Sequence, residues 1–129
     1  GLFFGLAEGA RAEKLNSLQA SKSVRIALVG RQDPMMMRHY YITHCRWGLN
    51  LSSGEGECFT NPFRLYAMAA NDMPILSDPG PDRDGYLTLC EVAAFHDFEQ
   101  KLLETRPDSK GLRDRVMERP LADGWRGLL

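Results

Sequence analysis

The chain reads as a mainly α protein: a small, single-domain helical bundle with one helix–loop–helix unit and little strand. Three observations predict this. Asp33-Pro34 and Asn61-Pro62 are helix starts, each setting an N-cap acceptor before a residue whose missing N–H does no harm in the first turn. Leu89, Val92, Phe95, Phe98 and Leu102 recur at three- and four-residue intervals, the period of one helix face. The remaining prolines and glycines divide the chain into helix-length segments. At 129 residues and 14.6 kDa there is enough chain for one ordinary core and too little for two.

Taken in order, residues 2–18 carry Leu2, Leu6 and Ala10 at four-residue spacing, continued by Leu15 and Leu18, and are expected to be helical, although Gly5 and Gly9 weaken the helix. The apolar run Ser23–Gly30 is too short to type by period and is read as core, either a buried strand or a helical turn. No glycine-rich phosphate-binding signature follows it. The helix begun at Asp33 is expected to run to Trp47 and stop at Gly48, with Met36, Tyr40 and Trp47 on its apolar stripe. A shorter helix spans Phe63–Asp72 before Pro74, and residues 77–85 are a loop by composition. A long helix, Leu89–Thr105, forms the centre of the bundle, with Phe95 and Phe98 buried. A last helix, Ser109–Arg119, presents Leu112 and Val116.

Sixteen basic residues against seventeen acidic ones leave a net charge of -1, which argues against nucleic acid as a partner. No apolar run reaches the roughly 20 residues needed to cross a bilayer. Cys45, Cys58 and Cys90 are odd in number and lack CxxC spacing, so they suggest an intracellular reducing compartment rather than a disulfide framework. The first residue is Gly, consistent with a fragment or with an organellar chain after removal of a presequence.

The chemistry of the sequence is concentrated in Asp82-Arg83-Asp84-Gly85-Tyr86-Leu87-Thr88-Leu89-Cys90-Glu91. Calcium takes six to eight hard oxygens from a tightly wrapping chain. Asp82 and Asp84 alternate along a turn, Gly85 permits a sharp bend, the Tyr86 carbonyl can face a metal, Thr88 can reach one through water, and Glu91 can offer two oxygens. These residues resemble the second part of an EF-hand loop. The resemblance implies calcium held by Asp82, Asp84, Tyr86 and Glu91, within a helix–loop–helix over residues 62–105. It departs from the pattern at the first ligand position, where Gly80 stands. Asp78 in a lengthened loop, or Asn71 or Asp72 before an insertion, are the replacements. The plainer reading is a solvated turn with Thr88 and Glu91 forming a capping box. A degenerate partner loop is expected at Ser52–Thr60.

The other candidates are weaker. His39 and His44 are five apart and miss the helical spacing of a zinc pair, and His96 sits beside Asp97 on a polar face. Met35–Met37 with Tyr40, Tyr41 and Trp47 read as core, or as an adaptable docking face. Leu2, Phe3, Phe4 and Leu6 make residues 1–20 a docking segment, with residues 2–7 contacting a protein partner or a membrane surface. The expected function is therefore a non-enzymatic binding module with a variant calcium loop. The alternative is an accessory subunit that packs within a larger, organellar membrane assembly and holds no metal.

Overall fold

The computed structural model describes residues 1–5, 8–30, 33–52, 62–82, 85–104 and 109–118. Instead of a helical bundle it contains a parallel sheet of five short strands with helices on both faces. The strands are β1 (Leu2–Phe4), β2 (Ala27–Val29), β3 (Gly48–Asn50), β4 (Ile75–Ser77) and β5 (Glu91–Val92). Their spatial order is β2-β1-β3-β4-β5, and every pairing is parallel. The helices are α1 (Gly9–Ala20), α2 (Met35–His44), α3 (Pro62–Ala69), α4 (Phe98–Leu103) and α5 (Leu112–Glu118).

The alternation of side chains along each strand sorts the core into two layers. Leu2 and Ile75 face Ile42 of α2, Leu65 and Met68 of α3, and Leu112 and Val116 of α5. Their neighbours Phe3 and Leu76 face the other way, onto Leu15 and Leu18 of α1 and onto Phe98 and Leu102 of α4. Strands covered on both sides carry no polar alternation, and at three residues or fewer they are too short for any period to show. That is why the sequence reads as helical.

Three further expectations are corrected by this arrangement. The opening strand is not a free apolar surface: Leu2–Phe4 lies between β2 and β3, and Leu2 and Phe3 are fully buried. The apolar surface expected to meet a partner or a membrane through residues 2–7 is used, at Leu2 and Phe3, inside the chain itself. Leu6 and Ala7 lie outside the described residues.

The Asp33-started helix ends at His44, so Trp47 is not on its stripe. Trp47 leads into β3 and packs in the α1–α4 layer, while Met36 is 81% exposed. The long central helix Leu89–Thr105 is also absent. In its place the chain makes a 3-10 turn at Tyr86–Leu89, strand β5, a second 3-10 turn at Phe95–Asp97 and then α4. The backbone of 91–92 is recruited by β4, and the Ala93 N–H donates to the Ser77 carbonyl, a pairing stronger than any local helical preference. Phe98 is fully buried as expected, whereas Phe95 is half-buried and leans on it at 5.3 Å between ring centroids.

The α3 helix matches its sequence signals closely. The helix stops in a Schellman turn: the Met73 N–H donates to the Met68 carbonyl and the Asp72 N–H to that of Ala69. Asp72 occupies the left-handed position at φ 54°, unusual for a residue other than glycine. Its carboxylate accepts the Arg113 backbone N–H, and its carbonyl accepts the Ser109 hydroxyl, so this one residue joins the end of α3 to the start of α5. Among the described residues no helix is long and apolar enough to cross a membrane.

Candidate functional site

The chain leaves β1 for β2 on one side and returns from β2 to β3 on the other. The connections after β1 and β3 therefore diverge, opening a crevice at the carboxyl ends of these neighbouring strands, where doubly wound sheets bind ligands. The residues that the fold delivers there are polar and buried. Asn50 ends β3, Ser77 ends β4 and Asp78 follows it, all nearly inaccessible. From the first two turns of α1 come Arg11 and Lys14, and from the start of α3 comes Arg64, which is 5% exposed.

These groups are held in a defined network. Lys14 Nζ donates to Asp78 Oδ2 at 2.5 Å, to Ser52 Oγ at 3.0 Å and to the Ser52 carbonyl at 3.2 Å. The same carboxylate accepts the Ser52 backbone N–H at 2.7 Å and its hydroxyl at 2.9 Å. Asn50 Nδ2 donates to Ser77 Oγ, which donates in turn to the Asp78 carbonyl. Arg64 Nη1 donates to Asn50 Oδ1 at 3.3 Å, and its guanidinium lies over the Phe3 ring at 4.6 Å. Arg11 Nε donates to the Leu51 carbonyl at 2.9 Å. Gly5, at φ 124°, is what lets Arg64 reach this position, since a Cβ there would stand 2.6 Å from its Nη2.

Three cations thus gather at the crevice, of which Lys14 pairs with the Asp78 carboxylate, and the N-terminal halves of α1 and α3 rise from the same end of the sheet. Such an end favours a negatively charged ligand, through the charges and through the backbone N–H groups of the helix starts.

No family model, curated protein or solved structure matches the chain.

The residues read from sequence as calcium ligands are distributed over this framework. Asp78 sits in the crevice, bound by Lys14 and Ser52. Asp82 accepts the Leu87 N–H at 3.0 Å, closing the turn that contains Gly85 at φ 72°. Tyr86 begins the 3-10 turn and packs edge-on against Tyr66. Glu91 lies on edge strand β5 and pairs with Lys101 at 3.1 Å. Asp84 and the Ser53–Thr60 part of the proposed partner loop are outside the described residues. Thr88 donates its hydroxyl to the Gly85 carbonyl, and the residues after it form a strand rather than the helix a capping box needs. Among the described residues no three His, Cys, Asp or Glu side chains gather as a metal-binding group.

Sequence reasoning missed Arg11, Lys14, Asn50, Arg64 and Ser77. Two signals could have found Asn50 and Ser77, and none marks Arg11, Lys14 or Arg64. Gly48-Leu49-Asn50-Leu51-Ser52 and Ile75-Leu76-Ser77-Asp78 are both apolar runs that turn polar at their carboxyl end, the pattern of a buried strand emerging at a site.

Proposed function

We propose that this chain is a ligand-binding α/β domain that takes a phosphate-bearing small molecule in the crevice between the carboxyl ends of β1, β3 and β4. The observation that carries this reading is the concentration of Arg11, Lys14 and Arg64 around buried Asn50, Ser77 and Asp78 at the point where the strand order reverses. Arginines suit phosphate oxygens because their planar fork donates two parallel hydrogen bonds, and Lys14 adds a point charge. Asp78 already holds Lys14 and Ser52, so it acts as the support that fixes the cation rather than as a competing anion.

Calorimetric titration with inorganic pyrophosphate and with adenosine diphosphate tests the proposal, beside Arg11→Gln and Lys14→Gln variants. Each lost charge-assisted contact is worth about 1.5–3 kcal/mol, so each variant should bind about tenfold more weakly or worse. Equal affinities in the wild type and both variants, or no heat with either compound, would refute it.

A second reading is favoured by a different observation: Met35, Met36 and Phe63, at the starts of α2 and α3, are each at least three-quarters exposed. Exposed apolar side chains of this size suit an accessory subunit that packs against another protein. A Met36→Lys, Phe63→Lys double variant should then lose that association while keeping its phosphate binding. Unchanged association would end this second reading.

A further inference from the structure

At the end of the sheet away from the crevice, where β1, β2 and β3 begin, the described residues form a recess of about 320 Å³ against the end of α4. One side of it is apolar. Trp47, Val24 and Leu102 pack together in the α1–α4 layer, and all three line the recess. Leu103, 55% exposed, lines it as well.

The charge around it is of one sign. Arg25 and Arg46 line the recess, each two residues ahead of its strand, β2 or β3. Leu2 of β1 is in register with both Ala27 and Gly48, so the two arginines stand level on either side of β1. Two strand spacings, roughly 10 Å, separate their backbones, a gap that two long side chains can close on one small anion. Both are exposed, and neither guanidinium has a hydrogen bond or an ion pair among the described residues. No Asp or Glu among the described residues lines the recess to compete for them. The acids of the neighbouring helix are engaged elsewhere: Glu99 accepts the Ser21 hydroxyl at 2.7 Å, and Glu104, just past its end, pairs with Lys101 at 3.6 Å.

We infer that this recess binds an amphipathic monocarboxylate, its head held between Arg25 and Arg46 and its apolar body laid along Val24, Trp47, Leu102 and Leu103. A guanidinium matches a carboxylate through two parallel N–H donors, and the apolar side favours a ligand charged at one end only. At the roughly 30 Å³ that a water molecule occupies in the liquid, the space of about 320 Å³ holds about ten heavy atoms, the size of a medium-chain fatty acid. The site shares no residue with the phosphate crevice and stands independently of that reading.

The test titrates octanoate and its uncharged counterpart octanamide into the ¹⁵N-labelled chain. Octanoate should shift the backbone amides of Val24, Arg25, Arg46, Trp47, Leu102 and Leu103 saturably, and octanamide should bind about tenfold more weakly. An Arg25→Gln, Arg46→Gln double variant should bring the acid down to the affinity of the amide. Leu103→Glu, which sets a negative charge on the apolar side, should weaken octanoate about tenfold as well. All three substitutions fall on exposed side chains, so the rest of the spectrum should keep its wild-type positions. Amides unmoved by octanoate, or shifts centred instead on Arg11, Lys14 and Asn50 of the crevice, would overturn the site. Equal affinity for acid and amide in the wild type would overturn the ligand class, and octanoate binding unchanged in the double variant would overturn the role of the arginines.

Discussion

Gly48 offers the sharpest test of how α3 is seated on the sheet. It lies in β3, between β1 and β4, and a methyl group added there would overlap Met68 Sδ, with Met68 Cε and Cγ at 3.0 and 3.1 Å. Met68 is fully buried, so its thioether can make room only by pressing on packed neighbours. Overpacking of this kind costs about 1–3 kcal/mol. Against that, replacing glycine by alanine at an unstrained position gains about 0.4–1 kcal/mol through the unfolded chain. Gly48→Ala should therefore destabilise the protein by up to about 2 kcal/mol.

In a Met68→Ala background the methyl has room, and the same substitution should become neutral or stabilising. Urea denaturation of the wild type, both single variants and the double variant gives the coupling directly, expected at about 1–3 kcal/mol. Should Met68→Ala be too unstable to measure, Met68→Val closes the cycle with a smaller cavity. Additive losses would refute the argument, because they would mean that the helix does not meet the strand at this glycine.

Other expectations concern single groups. Asp72→Asn should keep both the left-handed turn and the acceptor for the Arg113 N–H and stay within about 0.5 kcal/mol of wild type, whereas Asp72→Ala should lose about 1–2 kcal/mol; equal losses in thermal unfolding would contradict this. Burial, with a smaller contribution from Asp82, pushes the Cys90 thiol up to about 12 from an ordinary 9. The folded state thus holds this proton longer than the unfolded one. Stability from this group is complete below pH 9 and is lost as pH rises toward 12, so Cys90→Ala should flatten the alkaline decline in urea midpoint; an unchanged slope would dismiss the effect. The calcium loop read from the sequence is tested the same way: a Glu91 that served as ligand would have to leave Lys101, so on that reading Lys101→Met strengthens the heat of calcium titration and Glu91→Gln removes it. Equal heats in all three proteins would discard the loop as a metal site.

How far the sequence could be read depended on the length of each element. The start and the proline stop around α3 were legible, because Asn61-Pro62 and Pro74 punctuate it and its eight residues carry a full apolar face. The strands were not, since β1, β2, β3 and β4 are three residues each and β3 and β4 are buried throughout, so neither alternation nor length betrays them. Leu89, Val92, Phe95 and Phe98 mimic a helix face by coincidence: Leu89 and Phe98 belong to opposite layers of the core, and Val92 is exposed. Asp78 was singled out from sequence, but as a calcium ligand. Its partner Lys14 stands sixty-four positions away in the chain, and only the strand order brings the two together.

The position of β1 also bears on how the chain acquires its shape. Leu2 must align with Ala27 on one side and Gly48 on the other, so the middle of the sheet joins segments that are far apart along the polypeptide. Loop closure of that kind is paid in entropy before any strand contact rewards it, and it places the chain among slower-folding topologies. During synthesis, residues 2–4 emerge before either partner strand exists and must wait with Leu2 and Phe3 uncovered. The same strand that later seals the interior is, in that interval, the stretch most exposed to wrong pairing with another chain.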